Sequence, residues 1–192
     1  MSHSEYTLQD MYGTTRRALA FYDNQMLDCI NGEMQRFIAS QEMMFIATAD
    51  ASGNCDNSFR AGNSGFVRVL DETTLIYPEY RGNGVMASLG NIYENPHISL
   101  LFIDFFTHHI GLHVNGRADI IEVDQLHDYC DAKTISDIME EEDGRAERFV
   151  VIQVDEAYIH CSKHIPHLEK RSGPLDQKKG GDFFNARRKK DM

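Results

Sequence analysis

The chain has 192 residues, 42% of them hydrophobic and 26% charged, with a formal net charge of −11. That is the length of one ordinary domain with enough apolar material for a packed core. The acidic balance argues against a nucleic-acid surface, which wants a basic face, and no apolar run approaches the roughly 20 residues of a membrane helix.

Residues 5–30 carry Met11, Leu19, Met26 and Ile30 loosely at helical spacing, which predicts one or two short helices. Asn31 is a plausible N-cap for a helix over 32–41, where Met34, Phe37 and Ile38 make one apolar face. A β-rich centre follows. MMFIATAD (43–50) reads as a buried strand, and Ala51-Ser52-Gly53-Asn54 as its turn into a strand over 56–60. After a second turn cluster, 61–65, FVRVL (66–70) alternates. Asp71-Glu72-Thr73 then turns the chain into a strand over 74–78. The Gly-rich stretch YRGNG (80–84) opens a helix over 85–95 that Pro96 ends. Strands over 97–105 and 110–121 are followed by an acidic amphipathic helix over 124–143 and a last strand over 149–161. The helix's Glu140-Glu141-Glu142-Asp143 run is expected to be a solvated end. The pattern predicts an antiparallel barrel or sheet decorated by helices, not a doubly wound sheet.

Residues 169–192 hold eight Lys or Arg against four Asp or Glu, so the tail is basic while the body is acidic. The tail from 172 onward is polar apart from Phe183-Phe184 and is expected to be flexible. The start MSHSEYTLQD lacks the basic and apolar regions of a secretory signal. Cys29, Cys55, Cys130 and Cys161 form no C-x-x-C pair. A cytoplasmic protein is therefore expected, with its thiols reduced and serving as small buried hydrophobes.

The segment 56–96 holds the densest chemistry. Ser58-x-Arg60 precedes two Gly-containing turns, and Tyr80-Arg81-Gly82-Asn83-Gly84 leads into a helix bearing Ser88 and Asn91 on its early turns. A helix start offers unpaired N–H groups to a phosphate, glycines let backbone approach it, and arginines add charge-assisted bonds. The loop matches neither the P-loop nor the dinucleotide fingerprint, so taken alone it is also readable as a plain turn with solvated arginines.

The run FIATADASGNCDNSFRAGNSGFVRVLDETTLIYPEYRGNGVMASLGNIYENPHISLLFIDF, with GLHVNGRADII and AYIHCSKHIPHL after it, resembles the FMN-binding core of the pyridoxamine-5′-phosphate-oxidase-like family. The likeness covers about residues 35–168 and is closer to the family's flavoprotein branch than to the biosynthetic oxidase. It implies a mainly β fold with helices, a six-stranded antiparallel split β-barrel over 31–168 that dimerises with FMN in clefts at the subunit interface. The segment 1–30 and the tail 169–192 would flank that domain.

Carried over by position, Ser58 and Arg60 lie beside the flavin, and Phe66, Val67 and Val69 run near its ring. Arg81, Asn83, Ser88 and Asn91 surround the phosphate, and Arg117 reaches the cofactor from the partner subunit. Two departures stand out. Met86-Ala87-Ser88 replaces the family's Ser-Arg-Lys element, leaving Arg81 to substitute for its basic residues. The ending that holds pyridoxal phosphate in the oxidase is missing, and the chain has no Trp.

The resemblance thus implies an FMN-dependent oxidoreductase on an unknown small molecule, reduced by NAD(P)H or by substrate, with no catalytic acid or base identified. The alternatives are a non-catalytic flavin-binding or flavin-sensing protein, or a binder of haem or F420 on the same fold. His160, His164 and His167 would be the candidate axial ligands for haem. His108, His109 and His113 cluster at a strand start, but without metal-ligand spacing such as H-E-x-x-H no metal site is expected.

Overall fold

The computed structural model describes residues 3–171. Helices α1 (His3–Met11) and α2 (Thr15–Gln25) come first and bury no residue of their own. Helix α3 (Gly32–Ala39) begins where Asn31 predicts it. The Asn31 Oδ1 accepts the backbone N–H of Glu33 and of Met34 at 3.1 and 3.0 Å, satisfying two orphan donors. The remaining helices are α4 (Ala87–Glu94) and α5 (Ala132–Glu142).

The strands are β1 (Met26–Leu27), β2 (Met43–Ala49), β3 (Cys55–Ala61), β4 (Arg68–Asp71), β5 (Thr74–Tyr80), β6 (His97–Ile103), β7 (Gly111–Ile121) and β8 (Ala146–His160). They form one antiparallel sheet of order β3-β2-β6-β7-β8-β5-β4, with β1 added on β8. This is the expected class, an antiparallel sheet with helices, with eight strands where six were expected. Strand β8 is the spine. One of its edges pairs with β7 throughout, from Gly111↔His160 to Ile121↔Phe149. The other is shared, by β5 from Thr74↔Gln153 to Tyr80↔Ala146 and by β1 at Met26↔Tyr158.

Alternation along β2 buries Met44, Ile46 and Thr48 and leaves Phe45 and Ala47 half-exposed. The inward residues join Leu100, Phe102, Val114, Val150 and Ile152 in the main core, closed by Ile38 of α3 and Ile92 of α4. A second cluster, Ile76, Ile121, Leu126, Ile138, Phe149 and Val151, lies under α5. Strands β5 and β8 are therefore buried on both faces in their middle. That explains why FVVI and TLIYP read as continuous apolar runs rather than alternating ones.

Three sequence expectations change. The strand expected at 66–70 starts at Arg68, and Phe66 and Val67 are buried just before it. Gly62 makes room for Phe66, since a Cβ there would sit 2.5 Å from the Phe66 Cβ. The helix expected at 124–143 is split into a 3-10 turn (Val123–Asp128) and α5. Asp131 restarts it by accepting the Thr134 N–H at 2.7 Å, a cap signal that the amphipathic pattern concealed. The thiols are free as expected, but Cys55 and Cys161 are exposed and Cys29 and Cys130 only half-buried. The tail expected to be flexible, with Phe183-Phe184, lies outside the described residues.

Two predictions concern stability. At Gly116, beside the irregularity in the β7–β8 ladder, a Cβ would lie 2.1 Å from the Gln153 carbonyl oxygen. Backbone has nowhere to yield, so Gly116→Ala should cost about 1–3 kcal/mol, read as a lowered Tm. Met86, at the N-cap of α4, has left-handed backbone (φ 55°), makes no side-chain cap and is 54% exposed. Met86→Gly should stabilise the fold by about 1 kcal/mol, because glycine adopts that conformation without strain.

Candidate functional site: a cleft at the open end of the sheet

A cleft of about 940 Å³ lies between β3, the end of β5 and the loop entering α4. Period-2 alternation on β3 sets Asp56, Ser58 and Arg60 half-buried on one face. Glu79 and Tyr80 come from β5, Arg81, Asn83, Val85 and Met86 from the loop, Ser88 from α4 and Arg148 from β8.

The floor is an ion pair. Arg60 donates from Nε and Nη2 to the Glu79 Oε1 at 2.9 and 2.7 Å, and from Nη1 to the Phe59 carbonyl at 3.2 Å. Their side chains are 19% and 8% exposed. Strand β3 ends the sheet and β5 lies next to its other end, and the two share no ladder. The pair therefore bridges a gap that backbone hydrogen bonds do not. Tyr77, fully buried, lies one alternation behind Glu79; burial and then the Glu79 charge push its phenol pKa up.

Arg81 is exposed in the cleft, and among the described residues no carboxylate pairs with it. Asn83 Oδ1 accepts the Val85 N–H at 3.0 Å and shapes the loop. Ser88 is buried and donates its hydroxyl to Asp56 at 3.1 Å, and Asn91 donates to the Thr48 hydroxyl at 3.0 Å, tying α4 to β2. Arg148 lies 3.4 Å from Glu147 and 4.0 Å from Glu122.

Of the ten residues singled out from the sequence, Ser58, Arg60, Arg81, Asn83 and Ser88 line this cleft. Phe66 and Val67 are in the core, Val69 packs partly buried against it, and Asn91 faces β2. Arg117 is exposed on β7, opposite His97 and Gln153.

Sequence reasoning missed Glu79, Asp56, Tyr80 and Arg148. Two signals were present: a charged residue inside the apolar run TLIYPEY demands a buried partner, and period 2 from Ser58 and Arg60 reaches Asp56. The solvated acidic end expected on α5 is corrected at Glu142, which is only 6% exposed and lies by Tyr80 and Arg145. Burial, then the Glu142 carboxylate, push the Tyr80 phenol up to about 12, and the Arg145 guanidinium sits 5.6 Å over its ring.

The histidines separate. His109, with left-handed backbone (φ 51°), turns before β7 and meets the His167 ring at 4.1 Å, tilted by 57°. His113 Nε2 lies 2.8 Å from His160 Nδ1, and burial, then the His160 charge, lower its pKa. The preceding loop is held by Asp104, which accepts N–H bonds from Phe106, Thr107 and His108. Burial pushes that carboxyl up, but the three bonds outweigh it. Among the described residues no three His, Cys, Asp or Glu are grouped to hold a metal ion.

At the edge of the cleft, Phe59 (54% exposed) meets Phe45 edge-on at 5.6 Å. Phe45, with Ala47, Asn57, Ser99, Leu101 and His113, lines a groove of about 380 Å³ on the outer face of the sheet. No helix among the described residues is long and apolar enough to cross a membrane.

No curated protein is detectably similar to the chain. Among solved structures, HupZ of Group A Streptococcus is 23% identical with a TM-score of 0.50, covering 68% of this chain and 93% of its own. A single-residue variant of HupZ gives 21% identity and a TM-score of 0.50 over 68% of this chain and 99% of that one. These likenesses concern the fold. The family model for pyridoxamine 5'-phosphate oxidase matches residues 30–161, which include every residue of the cleft, and the chain belongs to that family.

Proposed function

We propose that the protein binds FMN in the 940 Å³ cleft and serves as an FMN-dependent oxidoreductase for a small molecule. The observation that carries this reading is Arg81, a cation without a carboxylate partner among the described residues, beside a cleft of ligand-binding size within the family-matched segment. The residues fit a flavin phosphate at one end only. Arg81 supplies the charge, and Asn83 sets the loop. Arg60 is already neutralised by Glu79, and the Ser88 hydroxyl is committed to Asp56, so neither is free to replace the basic residues missing at 86–88.

Bound flavin supplies hydride and electron transfer, while the protein binds, orients and excludes water. A nicotinamide cofactor or the substrate itself would serve as reductant, and the cytoplasm is the compartment that suits free, partly exposed thiols.

A homodimer completes the proposal. Phe59 belongs both to the cleft lining and, through Phe45, to the apolar rim of the outer groove. A second copy seated on that groove would stand at the edge of the cleft and bury apolar surface that one chain leaves open.

Titrating FMN with the full-length protein and following the quench of flavin fluorescence tests the reading. Saturable binding is expected. Arg81→Ala should weaken it by about 1.5–3 kcal/mol, the range for a charge-assisted hydrogen bond, or roughly 10- to 150-fold. A wild-type protein that does not quench FMN contradicts the proposal.

A further inference from the structure

The three arginines of the cleft are not equivalent. Arg60 directs three donors into the protein, two of them onto Glu79. Arg148 has Glu147 and Glu122 beside it. Arg81 alone lacks a carboxylate partner among the described residues, and the acids Asp56, Glu79 and Glu147 match the arginines of the lining in number. Glu79 matters most, because its side chain is 8% exposed and its charge is little screened.

We propose that Glu79 is a specificity-determining residue: by neutralising Arg60 it limits the cleft to ligands carrying one phosphate group and rejects those with a second anionic group. This rests on the flavin reading above and narrows its ligand to the mononucleotide. A diphosphate, or a tail of carboxylates, would need a second cation in the cleft. The other cations of the lining are Arg60, whose charge is neutralised by Glu79 and three of whose N–H donors are engaged, and Arg148, which has Glu147 and Glu122 beside it.

Replacing Glu79 with Gln keeps an oxygen acceptor for Arg60 and removes one negative charge, so the cleft gains a net positive charge at constant shape. Glu79→Asp keeps the charge and shortens the reach.

The experiment uses the full-length protein. FMN and FAD are titrated by fluorescence quench against wild type, Glu79→Gln and Glu79→Asp. Inorganic phosphate and pyrophosphate are compared as competitors of FMN, which separates charge from the bulk of FAD. Wild type is expected to favour FMN over FAD by at least about tenfold and to be no more sensitive to pyrophosphate than to phosphate. In Glu79→Gln the preference for FMN should shrink at least about tenfold, with pyrophosphate becoming the better competitor, while Glu79→Asp keeps the wild-type order. Equal wild-type affinity for FMN and FAD overturns the proposal without recourse to any variant. So does a Glu79→Gln protein whose FMN-to-FAD ratio and competitor order are unchanged. Failure of wild type to bind FMN at all overturns the flavin reading first, and this inference with it.

Discussion

The ion pair between Arg60 and Glu79 is the constraint on which the rest depends. An open antiparallel sheet has two ends, and here neither ladder closes β3 onto β5. One guanidinium and one carboxylate, both largely out of water, span that gap. A buried pair of this kind contributes little net stability, since desolvation offsets most of the attraction. Removing one partner is costly, however, because the other is left charged and unpaired. The pair thus specifies geometry: it fixes how far β3 stands from β5, and so the width of the cleft above it.

Everything else at the site is arranged around that floor. Strand β8 presents Arg148 at the cleft and then carries on as the spine of the sheet. The loop after β5 is held at its start by Tyr80, packed against Arg145 and Glu142 of the α5 end. At its finish it is held by left-handed Met86, and by α4 through Asn91 and Thr48. Strain at Met86 and an Arg81 without a carboxylate partner among the described residues lie in one short loop, which is where a ligand site tends to keep such costs.

Much of this was legible in the sequence. Asn31 announced α3, Pro96 ended α4, and the apolar segments 43–50 and 110–121 placed two strands. Ser58, Arg60, Arg81, Asn83 and Ser88 were named from motif and spacing, and the structure brings them to one cleft. What was not legible depends on contacts between distant residues. Nothing local in TLIYPEY says that Glu79 faces Arg60, nineteen positions away and on a strand that is not its neighbour. The acidic run at 140–143 looked solvated because a helical wheel cannot show that Glu142 meets Tyr80. The split before α5 was hidden because the apolar period continues across the Asp131 cap.

The measurement that tests the account most directly is a crystal structure of the full-length protein grown with FMN. The account predicts flavin in the cleft with its phosphate within hydrogen-bond distance of Arg81 and the Arg60–Glu79 pair intact beneath it. Flavin bound elsewhere, or Arg60 swung away from Glu79 onto the phosphate, would contradict it.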